Sequence, residues 1–546
     1  MENLLDGWGI TLATFSPLVG VAIMMVIPGE REHQHKMVAL VTSLWVAFIG
    51  VLLLIGFDMG HTAQLQFAVD KPWIDVISSR YLVGIDGMSL PLILLTMLIV
   101  PLCIIYSWDH FPEPVNPKAF LILILILETG MIGTFVAQDL VLFFVFFEVV
   151  LLPMFFMIAV WGGEDRRYAS LKFFLYTLFG SALMLVSFLA LFFLTGADTF
   201  SFIGLSDAVA AGGVSRTAQL WIFGGMFLGF AIKVPMFPFH TWLPDAHTQA
   251  PTVGSVILAA VLLKLGTYGF VRIAIPILPE AAVAWAPWIG LLAVIGIIYG
   301  ALGCLAQTDM KRLIAFSSVA HMGFVMLGIA TLTDFGINAA IMGMVAHGLI
   351  TGMLFFVAGS VKDRFHTLEI SRLGGLLVQA PRMGWVFGFC IMASLGLPGL
   401  AGFWGEFPAI LSAYQPANGV PVEVFRAYMV IAALGTVLAA GYLLWLLQRV
   451  AFGNPTEEFA EDPNITDTTK HEWIAWAPLL ALIVAIGVYP NLVFRVTDGA
   501  VDASLNECLR ADERVLTADE VVALGCSDVY GLGGGSDALV EHAGGN

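Results

Sequence analysis

Apolar residues in this chain neither alternate nor recur at helical spacing; they run nearly unbroken for about twenty residues at a time. Met37 to Phe57 (MVALVTSLWVAFIGVLLLIGF) and Ala119 to Ala137 (AFLILILILETGMIGTFVA) show the pattern. An α-helix rises about 1.5 Å per residue, so roughly 20 apolar residues span a hydrocarbon core of about 30 Å. Some fourteen such runs follow one another, the first centred near Leu18 and the last near Ala481. The pattern predicts an all-α polytopic membrane protein with about 14 transmembrane helices. Two connections are long: Asp58 to Ile85, whose alternation suits a short β-hairpin, and the polar stretch Thr195 to Arg216.

Composition sharpens this reading. Charged residues make up 12% of the chain and hydrophobic ones 59%, against about 25% charged in soluble proteins. The net charge of −17 argues against nucleic acid, whose phosphates need a basic surface. Much of the acid lies between Asn454 and Glu472 and in the tail after Arg495. Cys103, Cys304 and Cys390 stand in apolar runs, as buried small residues do. Cys508 and Cys526 share the tail and are candidates for a disulfide if it faces an oxidising compartment. No cysteine or histidine spacing suggests a metal site, and GLGGGSD near the C-terminus follows no strand that would make it a nucleotide loop. The sequon at Asn464 falls in a loop expected to be cytoplasmic, where it would not be used. The first residues, MENLLDGWG, lack a basic segment, so the first apolar run is expected to be a retained helix.

Charge also orients the chain. Loops joining odd to even helices, with their flanks, hold fourteen Lys and Arg residues, and the opposite side holds eight. The positive-inside rule then places both termini on the non-cytoplasmic side. Two lysines belong to neither set. Lys233 (GFAIKVPMFPFHTWLPDAH) and Lys264 (LAAVLLKLGTYGF) lie inside apolar runs, as do Glu148 (LFFVFFEVVLLPMFF), Glu406 (GLPGLAGFWGEFPAI) and Glu128. A charge at the bilayer centre costs about 2.5–3.5 kcal/mol on lenient scales, so such residues carry a function or a partner. His321 and His347 add groups that exchange protons near neutral pH. Each has a bland reading too: a packing ion pair for Glu148, snorkelling for Lys264, a satisfied core histidine for either His. The set together outweighs them.

Chain breakers accompany two of the charges. Pro235 and Pro238 follow Lys233, and Pro398, Gly399, Gly402 and Gly405 precede Glu406. Discontinuous helices with an ionisable residue at the break mark transport sites. Counting helices 4–8 and 9–13 as two sets of five, the fourth of each is broken, and the second bears Glu148 or His321. An odd-numbered repeat must be followed by an inverted copy, which predicts two inverted five-helix repeats with helices 7 and 12 broken. The corresponding segments are 1–117 (helices 1–3 and the long outer loop), 118–278 and 279–453 (the repeats), 454–495 (acidic cytoplasmic loop and helix 14) and 496–546 (acidic outer tail).

The strings KVPMFPFHTWLPDAHTQAPT, TDMKRLIAFSSVAHMGF and LPGLAGFWGEF resemble the antiporter-like membrane subunits of respiratory complex I, NADH:quinone oxidoreductase, from about Asp86 to Gly453. The likeness is closest to the M-type branch (subunit four of the mitochondrial set), because the L and N types and the Mrp antiporters typically have lysine where Glu406 stands. The resemblance implies proton translocation while electrons pass elsewhere. It implies no cofactor in this chain, with FMN, iron–sulfur clusters and quinone in partner subunits. It implies neighbours of the L and N types, a peripheral redox arm and a bacterial inner membrane. On the family pattern Glu148 and Lys233 are the glutamate–lysine pair, Lys264 the central lysine and Glu406 the terminal proton carrier; His240, His321 and His347 fall on the hydrated polar axis, and Glu128 is a secondary candidate. The competing readings are an autonomous Na⁺/H⁺ antiporter, a ferredoxin-fed relative of complex I, and a haem carrier using His321 and His347. Glu406 and the lack of a carboxylate cage disfavour the first, and one histidine per helix disfavours the last.

Overall fold

A computed structural model describes residues 5–505 apart from 109–110, 461 and 463–464. Cys508, Cys526, the GLGGGSD segment and Asn464 therefore lie outside the described residues. Eleven helices are long and apolar enough to cross a membrane: α1 Leu5–Val26, α2 Glu32–Gly56, α4 Pro117–Val136, α5 Leu140–Trp161, α6 Arg166–Thr195, α8 Thr252–Ile277, α9 Pro279–Leu305, α10 Met310–Ala330, α11 Asp334–Phe365, α13 Val422–Ala451 and α14 Lys470–Val488. Three more crossings fall short of that length or that hydropathy. One is α3, Leu90–Tyr106; the others are the two broken helices, α7a Arg216–Lys233 with α7b Trp242–Gln249, and α12a Pro381–Ser394 with α12b Ala401–Ser412. Together they give the fourteen crossings expected from the hydrophobic pattern. The even number puts Leu5 and Ser504 at one face, called here the terminal face.

Both breaks fall where proline and glycine forced them. α7a ends at Lys233, two residues before Pro235, and α12a gives way at Leu395 to a loop in which Gly396 and Gly399 adopt positive φ. Bare backbone at membrane depth must be covered by protein. Here Trp242 donates its indole N–H to the Ile232 carbonyl (2.9 Å) at the first break, and at the second Gly487 of α14 packs directly against Gly399 and Leu400.

Burial separates the helices into two classes. α8, α10 and α11 are enclosed over nearly their whole length, whereas α1, α2, α6, α13 and α14 leave apolar stripes uncovered, as lipid-facing helices do. The Asp58–Ile85 connection forms an antiparallel hairpin, β1 Gln66–Ile74 and β2 Ser79–Ile85. Two polar stretches are more ordered than their composition suggested. A nine-residue helix, Phe202–Ala210, interrupts Thr195–Arg216. The helix α15, Asn491–Ser504, runs straight across Arg495, where the acidic tail was expected to begin, because Val493, Val496, Ala500 and Val501 give it one buried apolar face.

Charged clamps fix the two ends. At the terminal face Arg272 of α8 pairs with Asp86, and its Nε donates to Tyr268 (3.0 Å), which donates in turn to the Phe135 carbonyl (2.9 Å). At the opposite face Arg364 of α11 donates twice to Glu472 of α14 (2.8 Å each) and once to the Asp467 carbonyl (2.9 Å). Both partners are buried. Breaking one side of such a pair strands a charge at a cost of about 3–5 kcal/mol, whereas replacing both with apolar residues is often neutral. R364M or E472M alone should therefore lower the temperature at which the protein loses its helical fold. The double variant R364M/E472M should recover most of that loss, read by thermal denaturation in detergent.

Candidate functional site

Three neighbouring elements converge at mid-depth: α8 with Lys264, α11 with His347, and α10 with His321, the last facing the break in α12. Lys264 is fully buried. The turn before it, Leu258–Leu262, is wound as a π-helix, which breaks the regular carbonyl ladder and is common at functional sites. One carbonyl in that turn, Ala259, accepts a hydrogen bond from the Lys264 ammonium (2.5 Å). The same Nζ stands 2.7 Å from His347 Nδ1. If the ammonium donates to Nδ1, the neutral ring holds its own proton on Nε2. That nitrogen is buried and without a protein partner.

His347 opens onto a small cavity with room for a water centre to move through about 20 Å³. About 10–15 Å³ of such space suffices for one water. Its polar lining comprises His321, Thr351, Ser394 and Glu406. The His347 and His321 rings lie 6.0 Å apart, centroid to centroid. Across the cavity His321 Nδ1 meets Glu406 Oε1 at 2.5 Å, and its Nε2 faces Ser394 Oγ (3.1 Å) and the Tyr442 hydroxyl (3.4 Å). His321 thus bridges the two halves of the broken helix, Ser394 ending α12a and Glu406 lying in α12b. Gly405 brings α12b to this place: a Cβ there would fall 2.5 Å from Gly343 Cα of α11.

The first repeat is arranged differently. Lys233 is buried, but its ammonium lies over the Phe147 ring, 4.8 Å from the centroid. Glu148 is half-buried beside the Ser181 hydroxyl. Among the described residues no ion pair joins them, so the pair expected from the family pattern is apart in this structure. His240 is buried at the α7 break, edge-on to Tyr299 (4.9 Å) and stacked with Phe237. Glu128 is fully buried, and among the described residues neither oxygen has a hydrogen-bond partner and no hydrogen bond ties it to the Lys264–Glu406 series.

Two residues passed over in the sequence extend the series toward the face opposite the termini. Lys311, counted there as a surface charge, is buried, and its ammonium donates to the Ala250 carbonyl (2.5 Å) at the joint between α7b and α8. His247, three residues before Ala250, is fully buried. Its ring stacks on Phe355 (4.4 Å, 10°), with both nitrogens unpartnered and the Lys311 and Lys264 charges within electrostatic reach. Phe355 is eight residues beyond His347 on α11, about 12 Å nearer that face. A cue was present, since His240 and His247 stand one heptad apart and Lys311 shares a stripe of α10 with Ile314, Ser318 and His321.

Residues 137–431 match the family described as NADH:quinone oxidoreductase/Mrp antiporter, TM, and residues 18–134 match the amino terminus of NADH-ubiquinone oxidoreductase chain 4. NADH-quinone oxidoreductase subunit M of Rhodobacter capsulatus is 42% identical, over 90% of this chain and 94% of its own. NADH-ubiquinone oxidoreductase chain 4 of Arabidopsis thaliana is 39% identical, over 87% and 92%. Among solved structures, a chain of respiratory complex I from Thermus thermophilus with bound NADH superposes with a TM-score of 0.80 at 30% identity, covering 91% of this chain and 99% of that one. A chain of the Mrp complex from Dietzia sp. DQ12-45-1b shares the fold (TM-score 0.77, 21% identity, 99% of this chain and 56% of that one). The chain belongs to the subunit M, or chain 4, family of NADH:quinone oxidoreductase, the antiporter-like, proton-translocating membrane subunits of complex I.

Proposed function

We propose that this chain carries protons along Lys264, His347, His321 and Glu406 as part of an NADH:quinone oxidoreductase, with redox chemistry confined to other subunits. The observation that carries this is the unbroken approach of four titratable side chains from four helical segments at one depth, with two direct contacts and one water-sized gap. Each group can both take and release a proton. Lys264 passes one to His347 Nδ1, the Nε2 proton crosses the cavity through a water, and His321 delivers its Nδ1 proton to Glu406. The hydroxyls of Ser394 and Tyr442 either donate or accept, so His321 Nε2 is served in both tautomers.

Lys311 and His247 supply the entry from the face opposite the termini. In this reading Glu148 and Lys233 form the switch: closing their ion pair moves positive charge away from Lys264, and opening it returns that charge. Moving one proton against 100 mV takes about 2.3 kcal/mol, within the several kcal/mol at stake when a buried pair breaks. FMN, iron–sulfur clusters and quinone belong to partner subunits, and L- and N-type subunits flank this one. The membrane is a bacterial inner membrane, with the terminal face outward.

Three results test this. Replacing Lys264, His321 or Glu406 (K264A, H321A, E406Q) should lower the protons moved per NADH oxidised in sealed vesicles at least several-fold. Full pumping with normal coupling would overturn the path, and K233A or E148A retaining it would overturn the switch. His247→Phe keeps an aromatic ring against Phe355 but removes both nitrogens. It should slow pumping while leaving uncoupled NADH oxidation less affected, and wild-type pumping would remove His247 from the entry. For orientation, in a background of C508S and C526S, V76C at the hairpin tip should react with an impermeant maleimide in intact cells. T468C should react only after permeabilisation, and the reverse result would invert the topology.

A further inference from the structure

Between α12a and α14 the surface is not closed. A groove of about 730 Å³ opens there, lined by Trp385, Val386 and Phe389 on one wall and Trp473, Leu480 and Val484 on the other. Ala481 and Ala485 leave it deep. Both helices start at the same face, so the groove begins at that membrane surface and runs inward. From Trp473 to Ala485 it follows α14 for about 18 Å, a little more than half of a hydrocarbon core of about 30 Å. That is the reach of one acyl chain in one leaflet. Trp385 (73% exposed) and Trp473 (36%) flank the mouth, at the depth where tryptophan favours the headgroup boundary.

The mouth is cationic. Arg382 lines it, and its guanidinium has no hydrogen-bond or ion-pair partner among the described residues. The nearby acid, Asp467, is already committed: it accepts from the backbone N–H groups of Arg382 (3.1 Å), Met383 (3.2 Å) and Thr468 (2.8 Å). Exposed Lys470, which opens α14, adds a second positive charge at that end. A second protein helix would have to bring an anionic group to this arginine as well as an apolar stripe half a bilayer long. A glycerophospholipid with an acidic headgroup offers both in one molecule.

We infer that this groove is a binding site for a single anionic phospholipid, its headgroup on Arg382 and one acyl chain between Trp385 and Trp473 down to Ala485. The lipid fills the space beside α12a, the half-helix that ends at Ser394, and so braces the broken helix from outside the proton path. The site stands whether or not that path does.

The test uses the whole complex reconstituted in phosphatidylcholine vesicles containing a small fraction of either phosphatidylglycerol or phosphatidylcholine with a diazirine in one acyl chain. After illumination, adducts on α12a and α14 are mapped by peptide mass spectrometry. Phosphatidylglycerol should label these walls several-fold more than phosphatidylcholine. R382Q should level the two, R382K should keep the preference, and A481F, filling the groove, should abolish labelling by both. Circular dichroism and subunit composition check that each variant is assembled. Equal labelling by the two lipids in the wild type, unchanged labelling in assembled A481F, or no adduct at all because another subunit covers the groove would each overturn the proposal.

Discussion

Everything in this molecule depends on how a bare ammonium is held in a dry interior. Among the described residues no carboxylate pairs with Lys264. It rests on a backbone carbonyl in the π-helical turn at Ala259 and on the His347 imidazole. Lys311 repeats the arrangement at the joint after α7b, on the Ala250 carbonyl. In the proposed path a carbonyl dipole holds the ammonium without a carboxylate beside it, so loss of the proton would strand no anion, the costly event in a low-dielectric interior. Helix irregularity and the proposed proton carrier therefore share one turn. A regular α8 would engage its carbonyls in its own ladder, and Lys264 would then need an acid that locked its proton in place.

The acid is instead kept at the far end of the series. Glu406 is the one carboxylate in hydrogen-bond contact with it, and its partner is a histidine. The series thus has a lysine at one end and a carboxylate at the other, with the two imidazoles between them. The inverted repeat sharpens the contrast. Glu148 corresponds to His321 and Lys233 to Glu406, yet the second-repeat pair is in contact and the first is apart, Lys233 lying over a phenylalanine. Two copies of one architecture thus stand in opposite conditions within one chain.

Much of this was legible in the residues, because a bilayer makes charge expensive. Lys264, His347, His321 and Glu406 were conspicuous inside apolar runs, and proline and glycine located both breaks to within a few residues. The π-helical turn was not legible: Leu258–Leu262 reads LAAVL, which suits an ordinary helix equally well. Lys311 was hidden for a different reason. It stands next to Arg312 at a helix start, where basic residues normally face the polar side, and only packing against Ala250 distinguishes the buried base from the exposed one. The separation of Glu148 from Lys233 was not legible either, because how two side chains are placed inside apolar helices leaves no mark on composition.

Glu128 shows where such reasoning meets its edge from the other side. It met the same criterion as the working residues, a carboxyl inside an apolar run, and the structure buries it completely. Yet among the described residues neither oxygen finds a hydrogen-bond partner, and no hydrogen bond or ion pair connects it to the lysines. A lone carboxyl in such a place is tolerable only when protonated, since the ionised form has neither water nor counter-charge. Intramembrane charge in a sequence marks where function is permitted, and a contact or a shared cavity is what turns permission into a path.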